Sequence, residues 1–285
     1  MSMRTACAVA SAFLLLGAGL ASAEDATEPR KAFRVCQDPN NLPFSDLKGQ
    51  GLENRLAELF ARDLGLPVTY YSVPNRMGFI RNTLRYKLPG EDYPCDIVMG
   101  VPAGFDQVSA TKPYYRSTYV LVFPKGAGLD AVKSSADLLA LPPKQLKALR
   151  IGIYDRSPGS EWLVRHDLID QGVPYHMLSA DPAQYPGEII EHELAGGHLD
   201  AAIVWGPIGA FFAKRVRTRE LQVVPMAPEQ GIKFDYAMAM GVRYGEPQWK
   251  QQIEGLIDKH RGEIQSILRE YGVPLLDEPP PAERK

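Results

Sequence analysis

The stretch Cys95–Phe123, CDIVMGVPAGFDQVSATKPYYRSTYVLVF, decides the fold. It reads as a strand, a loop, a Pro-Tyr-Tyr step and a second strand. Cys95–Val101 is a short apolar run with one acidic residue near its start, which suits a parallel-sheet strand covered on both faces. Tyr119–Phe123 is a second apolar β run, stopped by Pro124 and Gly126. Upstream, Ala32–Cys36 predicts the first strand. The loop QDPNNLPFSDLKGQG follows, then a helix over Leu52–Leu64 with apolar residues at 52, 56, 59, 60 and 64. Gly65 and Pro67 close that helix. Val68–Val73 predicts a strand and Gly78–Lys87 a helix. The β-α-β-α-β order implies a parallel sheet with helices on both faces.

The alternation restarts after Phe123. Short helical segments occupy Ser134–Leu141 and the approach to Ala148. Strands are predicted at Arg150–Tyr154, Tyr175–Leu178, Ala201–Trp205 and Leu221–Met226. Helices are predicted at Ser160–Gln171, Glu188–Ala195 and Pro207–Val216. Tyr236–Val242 reads as a returning strand, and Gln248–Tyr271 as one long amphipathic helix. The fold class is therefore α/β: two lobes, each with a central mostly parallel sheet, joined by a two-strand hinge near Phe123 and Asp235. The expected boundaries are a leader at 1–23, a disordered segment at 24–31, lobe one at 32–122 and 236–274, lobe two at 123–235, and a Pro-rich tail at 275–285. A cleft at the carboxyl ends of the strands is the expected ligand site.

Arg4, the apolar run Ala8–Leu20 and the small-residue site Ala21-Ser22-Ala23 are the parts of a cleaved export signal. They predict a periplasmic protein with no stable membrane insertion. The 285 residues carry 32 basic and 34 acidic side chains. That balance has no basic stripe and argues against a nucleic-acid partner. Of the 3 cysteines, Cys7 leaves with the leader. Cys36 and Cys95 remain, on strands expected to be neighbours in an oxidising compartment. The sequence leaves open a disulfide or two buried thiols.

Several residues are candidates for the cleft. Asp38, Asn40, Asn41 and Phe44 follow the first strand, where they can meet a ligand or merely build the turn. Ser157-Pro158-Gly159-Ser160 precedes a helix, with Ser160 as the expected N-cap; capping outweighs anion binding there. Trp205 ends a strand and can wall the cleft. Tyr114, Tyr115 and Arg116 face the cleft or pack the inter-lobe step. His192-Glu193 with His198 misses the H-E-x-x-H spacing, so no metal site is expected. Asp38 and Asp106 are the obvious carboxylates near the cleft, with no matched histidine. Neither a catalytic role nor a cofactor is expected.

The lobe order resembles the type 2 periplasmic binding protein fold. Amino-acid binders of that kind carry an Arg where this chain has Gly104, and an Asp where it has Trp205. The resemblance thus implies a cleft without the two charged anchors of a zwitterion site. CQDPNNLPFSD, NRMGFIRNTL, CDIVMGVPAGFD and TKPYYRSTYV together are similar to the MxaJ/XoxJ-type accessory proteins of methanol oxidation. The turn YKLPGEDYP before Cys95 is longer than that resemblance leads one to expect. The resemblance implies a non-catalytic periplasmic helper of a pyrroloquinoline-quinone (PQQ)-dependent methanol or alcohol dehydrogenase. That enzyme would be its partner, with the enzyme's cytochrome c as a further one. The competing expectation is a solute receptor of an ABC importer for a small ligand other than an amino acid.

Overall fold

The computed structural model of the chain describes residues 29–75, 78–176, 181 and 183–277. The expected leader, residues 24–28 and the tail from 278 lie outside the described residues. β1 (Phe33–Gln37) leads to a loop carrying the short strands β2 (Asn40–Asn41) and β3 (Ser45–Asp46), then to α1 (Leu52–Leu64). β4 (Val68–Ser72), the one-turn α2 (Phe79–Asn82), β5 (Ile97–Pro102) and β6 (Ser109–Ala110) follow. β7 (Tyr115–Pro124) crosses to lobe two. There the chain forms α3 (Ser135–Leu139), α4 (Pro143–Leu146), β8 (Ile151–Tyr154), α5 (Pro158–Arg165) and β9 (Gly172–Tyr175). A π-helix at Ile189–Leu194, β10 (Ala201–Trp205), α6 (Gly206–Arg215) and β11 (Leu221–Pro225) complete that lobe. β12 (Asp235–Val242) returns to lobe one, which ends with α7 (Pro247–Lys259) and α8 (Arg261–Glu270).

In lobe one, β4 and β5 run parallel to β1, and β12 runs antiparallel to β5. In lobe two, β8 is parallel to β9 and β10. β7 joins the two arrangements. Its residues Tyr115–Thr118 pair with β12, while Tyr119–Val122 pair with β10 and Val120–Pro124 with β11. The period of two sorts its side chains. Tyr119, Leu121 and Phe123 enter a core with Trp162 and Ile203, and Val120 and Val122 enter another with Ile190 and Phe212.

The amphipathic face of α1 explains the main core of lobe one. Leu52, Leu56 and Phe60 lie on it and are buried with Phe33 and Trp249. The ring of Phe33 stands 6.4 Å from Phe60 and 5.8 Å from Trp249. On the other side of the sheet, Cys36 and Cys95 form a disulfide with Cα atoms 5.2 Å apart, packed with Ile80, Leu84 and Val98.

Several elements differ from the sequence expectation. The expected helix 78–87 is only α2, because Gly78 adopts φ 85° and the Thr83 hydroxyl bonds back to the Phe79 carbonyl at 2.7 Å. The expected long C-terminal helix breaks at His260 (φ −103°, ψ 20°). The buried His260 ring lies 6.2 Å from Phe60, and its nitrogens face Asp63 and Glu263 at 3.4 and 3.3 Å. The strand expected at Tyr175–Leu178 starts at Gly172, since Gly172–Tyr175 holds the parallel register with Ile151–Tyr154. Residues 177 and 178 of the expected strand lie outside the described residues. Ser157, not Ser160, caps α5: its Oγ accepts the Ser160 N–H at 3.4 Å, and Pro158 occupies the first turn. Leu275, at the start of the expected tail, pairs with Ser117, and the Leu276 N–H donates to the Arg116 carbonyl at 3.0 Å.

One fully buried charge ties lobe one together. Asp96 has no exposed surface. Its carboxylate accepts two bonds from Arg34, at 2.7 and 3.0 Å, and one from Arg243 at 2.5 Å. Arg243 also donates to the carbonyls of Leu84 and Cys95 at 3.2 and 2.6 Å, and stacks 4.0 Å over the Tyr93 ring. The knot thus links β1, the entry to β5, and the chain just after β12. Removing one partner of such a group leaves buried charge uncompensated, at a cost of roughly 3–5 kcal/mol. Asp96→Ala is expected to lower unfolding stability by about that much in urea titration; a loss below about 1 kcal/mol would show that the knot contributes little.

Candidate functional site

A cavity of about 540 Å³ lies between the lobes. Its walls come from the carboxyl ends of the strands. Asp38 follows β1, Asn75 follows β4 and Pro102 ends β5; opposite them Tyr154, Tyr175 and Trp205 end β8, β9 and β10. Open α/β sheets present ligands at this edge.

Three rings form the back of the cavity. Trp205 stands 5.5 Å from Tyr119 and 5.8 Å from Tyr236, and the two tyrosines are 6.5 Å apart. They come from the end of β10, the middle of β7 and the start of β12, so the trio sits at the seam of the lobes. Trp205 is held there by the next residue. A Cβ on Gly206 would lie 2.3 Å from the Thr118 carbonyl oxygen, so only glycine lets α6 start this close to β7. Burial raises the pKa of the Tyr119 phenol, and the neighbouring Tyr236 adds to the effect.

The loop after β1 crosses toward lobe two. Asp38 accepts the Asn40 N–H at 2.7 Å and the Asn75 N–H at 2.5 Å, one on each oxygen. The Asn40 side chain donates to the Ala183 carbonyl at 3.3 Å, bridging the lobes. Phe44 packs against the cores of both. Asn41 lies on the same wall.

Glu53 is the residue that sequence reading passed over. It is the second residue of α1, where an acid reads as a helix-dipole partner. In the structure it lines the cavity, and a Cβ on Gly100 would lie 2.2 Å from its Oε1. Its carboxyl has no hydrogen bond or ion pair among the described residues. Burial first, and the charge of Asp38 second, raise its pKa from 4.5 to about 7.

Of the sequence candidates, Asp38, Asn40, Asn41, Phe44 and Trp205 line this cavity; Tyr114, Tyr115 and Ser157 do not. Tyr114 and Tyr115 are buried in the core of lobe one, with ring centroids 4.9 Å apart and the Tyr114 hydroxyl on the Met99 carbonyl at 2.9 Å. Ser157 is buried and used as the α5 cap. Asp106 is also absent from the wall, and the carboxylates there are Asp38, Glu53, Asp181 and Glu188. Tyr119, Tyr154 and Tyr236 read in sequence only as strand residues. That each falls at the seam or at the carboxyl end of its strand was the usable signal.

No protein-family model matches the chain. Protein MoxJ of Methylorubrum extorquens is 27% identical over 90% of this chain and 85% of its own length. The crystal structure of the periplasmic binding protein XoxJ from Methylobacterium extorquens AM1 is 35% identical. It matches 87% of this chain and all of that one, with a TM-score of 0.69. The chain belongs to the MxaJ/XoxJ-type family of periplasmic binding proteins. MxaJ from Methlophaga aminisulfidivorans MPT shares the fold, with a TM-score of 0.70 and 22% identity over 86% of this chain and all of its own. Among the described residues, no helix of this MxaJ/XoxJ-type chain is long and apolar enough to cross a membrane.

The Glu53 carboxyl gives a signed pH effect. Unfolded, it ionises near its ordinary 4.5; folded, it keeps its proton to about 7. Between these values the native state binds more protons than the unfolded state, so this group's contribution to stability falls as pH rises. Thermal melts of Glu53→Gln and the parent at pH 5 and pH 8 test this. The parent is expected to lose several degrees more than the variant; identical losses would place Glu53 in open solvent.

Proposed function

We propose that this protein is a non-catalytic periplasmic accessory protein that assists maturation or activation of a PQQ-dependent methanol or alcohol dehydrogenase through its inter-lobe cleft. The observation that carries the reading is the aromatic seam of Tyr119, Trp205 and Tyr236 in a cavity of an MxaJ/XoxJ-type chain. Trp205 occupies the position where amino-acid binders of this fold hold a carboxylate. Gly104, with φ 78°, offers no cation at the other anchor position. A cleft so equipped favours a partly apolar group over a free zwitterion. Asp38, Asn40, Asn41, Phe44 and Trp205 are the residues we assign to contact with that group. The enzyme's cytochrome c belongs to the same proposed partnership, and the export signal expected at residues 1–23 supports a periplasmic location for this chain.

The runner-up is a solute receptor of an importer. The cavity volume of about 540 Å³ favours it to the extent that small-molecule sites fall in the same range. Calorimetry against alcohols, organic acids and quinone precursors separates the two, since a receptor binds one of them at micromolar concentration or below.

The test of the accessory role uses the tagged mature protein and periplasmic extract, followed by an activation assay with the purified dehydrogenase. Recovery of the quinoprotein enzyme and a rise in its dye-linked alcohol oxidation are expected. Trp205→Ala is expected to weaken activation about tenfold or more, as for an aromatic anchor, with the melting curve little changed. Full activation by that variant would remove Trp205 from the contact surface, and failure to capture or activate the dehydrogenase would overturn the reading.

A further inference from the structure

The charges of the cavity are one-sided. Among the described residues that line it there are four carboxylates and His176, and neither lysine nor arginine. The acids differ in how they are used. Both oxygens of Asp38 are engaged by backbone N–H groups, and Asp181 accepts the Ala183 N–H at 2.9 Å. Glu188 and Glu53 have no such partner among the described residues, and Glu53 is the one whose pKa burial raises. Its carboxyl lies over Gly100, in the space that any larger residue on β5 would fill. A half-buried carboxyl without a partner is costly to keep. The same cavity offers aromatic rings, which attract cations. One of them, Tyr236, already carries the Lys233 ammonium 4.7 Å from its centroid.

We infer that the cleft takes a cationic group, an alkyl guanidinium or ammonium, which pairs with Glu53 in the cavity lined by Tyr119, Trp205 and Tyr236. A cation gains a charge-assisted bond and ring contact there, whereas an anion meets only like charge. The inference rests on the proposed use of the cleft for recognition and names the chemistry recognised. The group belongs either to a side chain of a partner protein or to a free small cation.

Calorimetry on the mature protein decides it. The probes are N-acetyl-arginine N-methylamide, the same amides of norleucine and glutamate, and agmatine. The arginine amide is expected to bind at least about tenfold tighter than the norleucine amide, and the glutamate amide not measurably. Glu53→Gln is expected to remove most of the arginine preference and to leave norleucine binding unmoved. Glu53→Asp, which keeps the charge but withdraws it by one methylene, should fall between; it serves also if the Gln variant folds poorly. Equal affinity for the arginine and norleucine amides would overturn the inference, as would unchanged arginine binding in both variants. An arginine amide tighter than agmatine assigns the group to a protein segment; the opposite order assigns it to a free cation. Glu53-dependent arginine binding without any response of the dehydrogenase would sink the accessory reading alone, and dehydrogenase activation without it would sink this inference alone.

Discussion

A single strand carries both lobes. β7 is buried along nearly its whole length, and its pairing partner changes at Thr118–Tyr119 from β12 to β10. Any rotation of one lobe against the other must be absorbed near that change, because the strand is locked in a sheet on either side of it. The cleft follows from the same constraint. The strands of each lobe point their carboxyl ends at the seam, and the seam residue Tyr119 becomes its back wall. β12 gives a second connection. The backbone of Leu275 and Leu276 lies beside Arg116 and Ser117, on the lobe-one side of that change of partner. The Tyr271 ring, just past α8, stacks on Phe211 of α6 at 5.7 Å and fastens the lobes on the side of the C-terminal segment. Motion that keeps these connections is hinge bending with small local change.

The walls on either side of the seam are stiff for different reasons. In lobe one, Asp96, Arg34 and Arg243 link segments remote in sequence, and the disulfide joins Cys36 to Cys95. In lobe two the sheet is covered by apolar residues on both faces, with Trp162 and Phe212 among the largest buried side chains. The loop from Asp38 to Phe44 would be the weak part of the rim. Asp38 fixes it instead through two backbone N–H groups, one of them on Asn75 beyond β4. A recognition surface held this way loses little conformational entropy on binding.

The strands were largely legible because a buried parallel strand is an uninterrupted apolar run and β7 alternates cleanly between two cores. The change of partner in β7 falls at Thr118–Tyr119, ahead of the crossing expected near Phe123, because Tyr119–Val122 already pair with β10. Helix lengths were less legible. Apolar spacing continues smoothly from Ile257 to Ile264, so nothing in the pattern shows that His260 turns inward between them. Thr83 likewise fits a helical pattern until its hydroxyl takes the Phe79 carbonyl. At the site, Trp205 and the Asp38–Phe44 loop could be placed from strand ends alone. Glu53 could not, since its exposure to the cavity depends on Gly100 of another strand. Tyr114 and Tyr115 read as either cleft-facing or packing residues, and only the long-range contacts of the α1 core decide for packing.

The cleft's chemistry is easier to reconcile with a polypeptide side chain than with a free amino acid. A zwitterion brings a carboxylate that needs a cation, and the described lining residues supply neither lysine nor arginine for it. Burying that carboxylate beside Asp38 and Glu53 would add repulsion to a desolvation cost of a few kcal/mol. Within a polypeptide the same atoms are neutral amides, which hydrogen-bond to asparagine side chains such as Asn40 and Asn41 at modest cost. In the proposed pairing the positive end of a side chain meets the Glu53 carboxyl, with its methylene stem against the rings. If Trp205 stands where amino-acid binders hold a carboxylate, as the resemblance implies, the exchange is not merely a loss of affinity for one ligand class. It shifts the balance from recognition of a free α-carboxylate and α-amine toward recognition of a chain that carries neither.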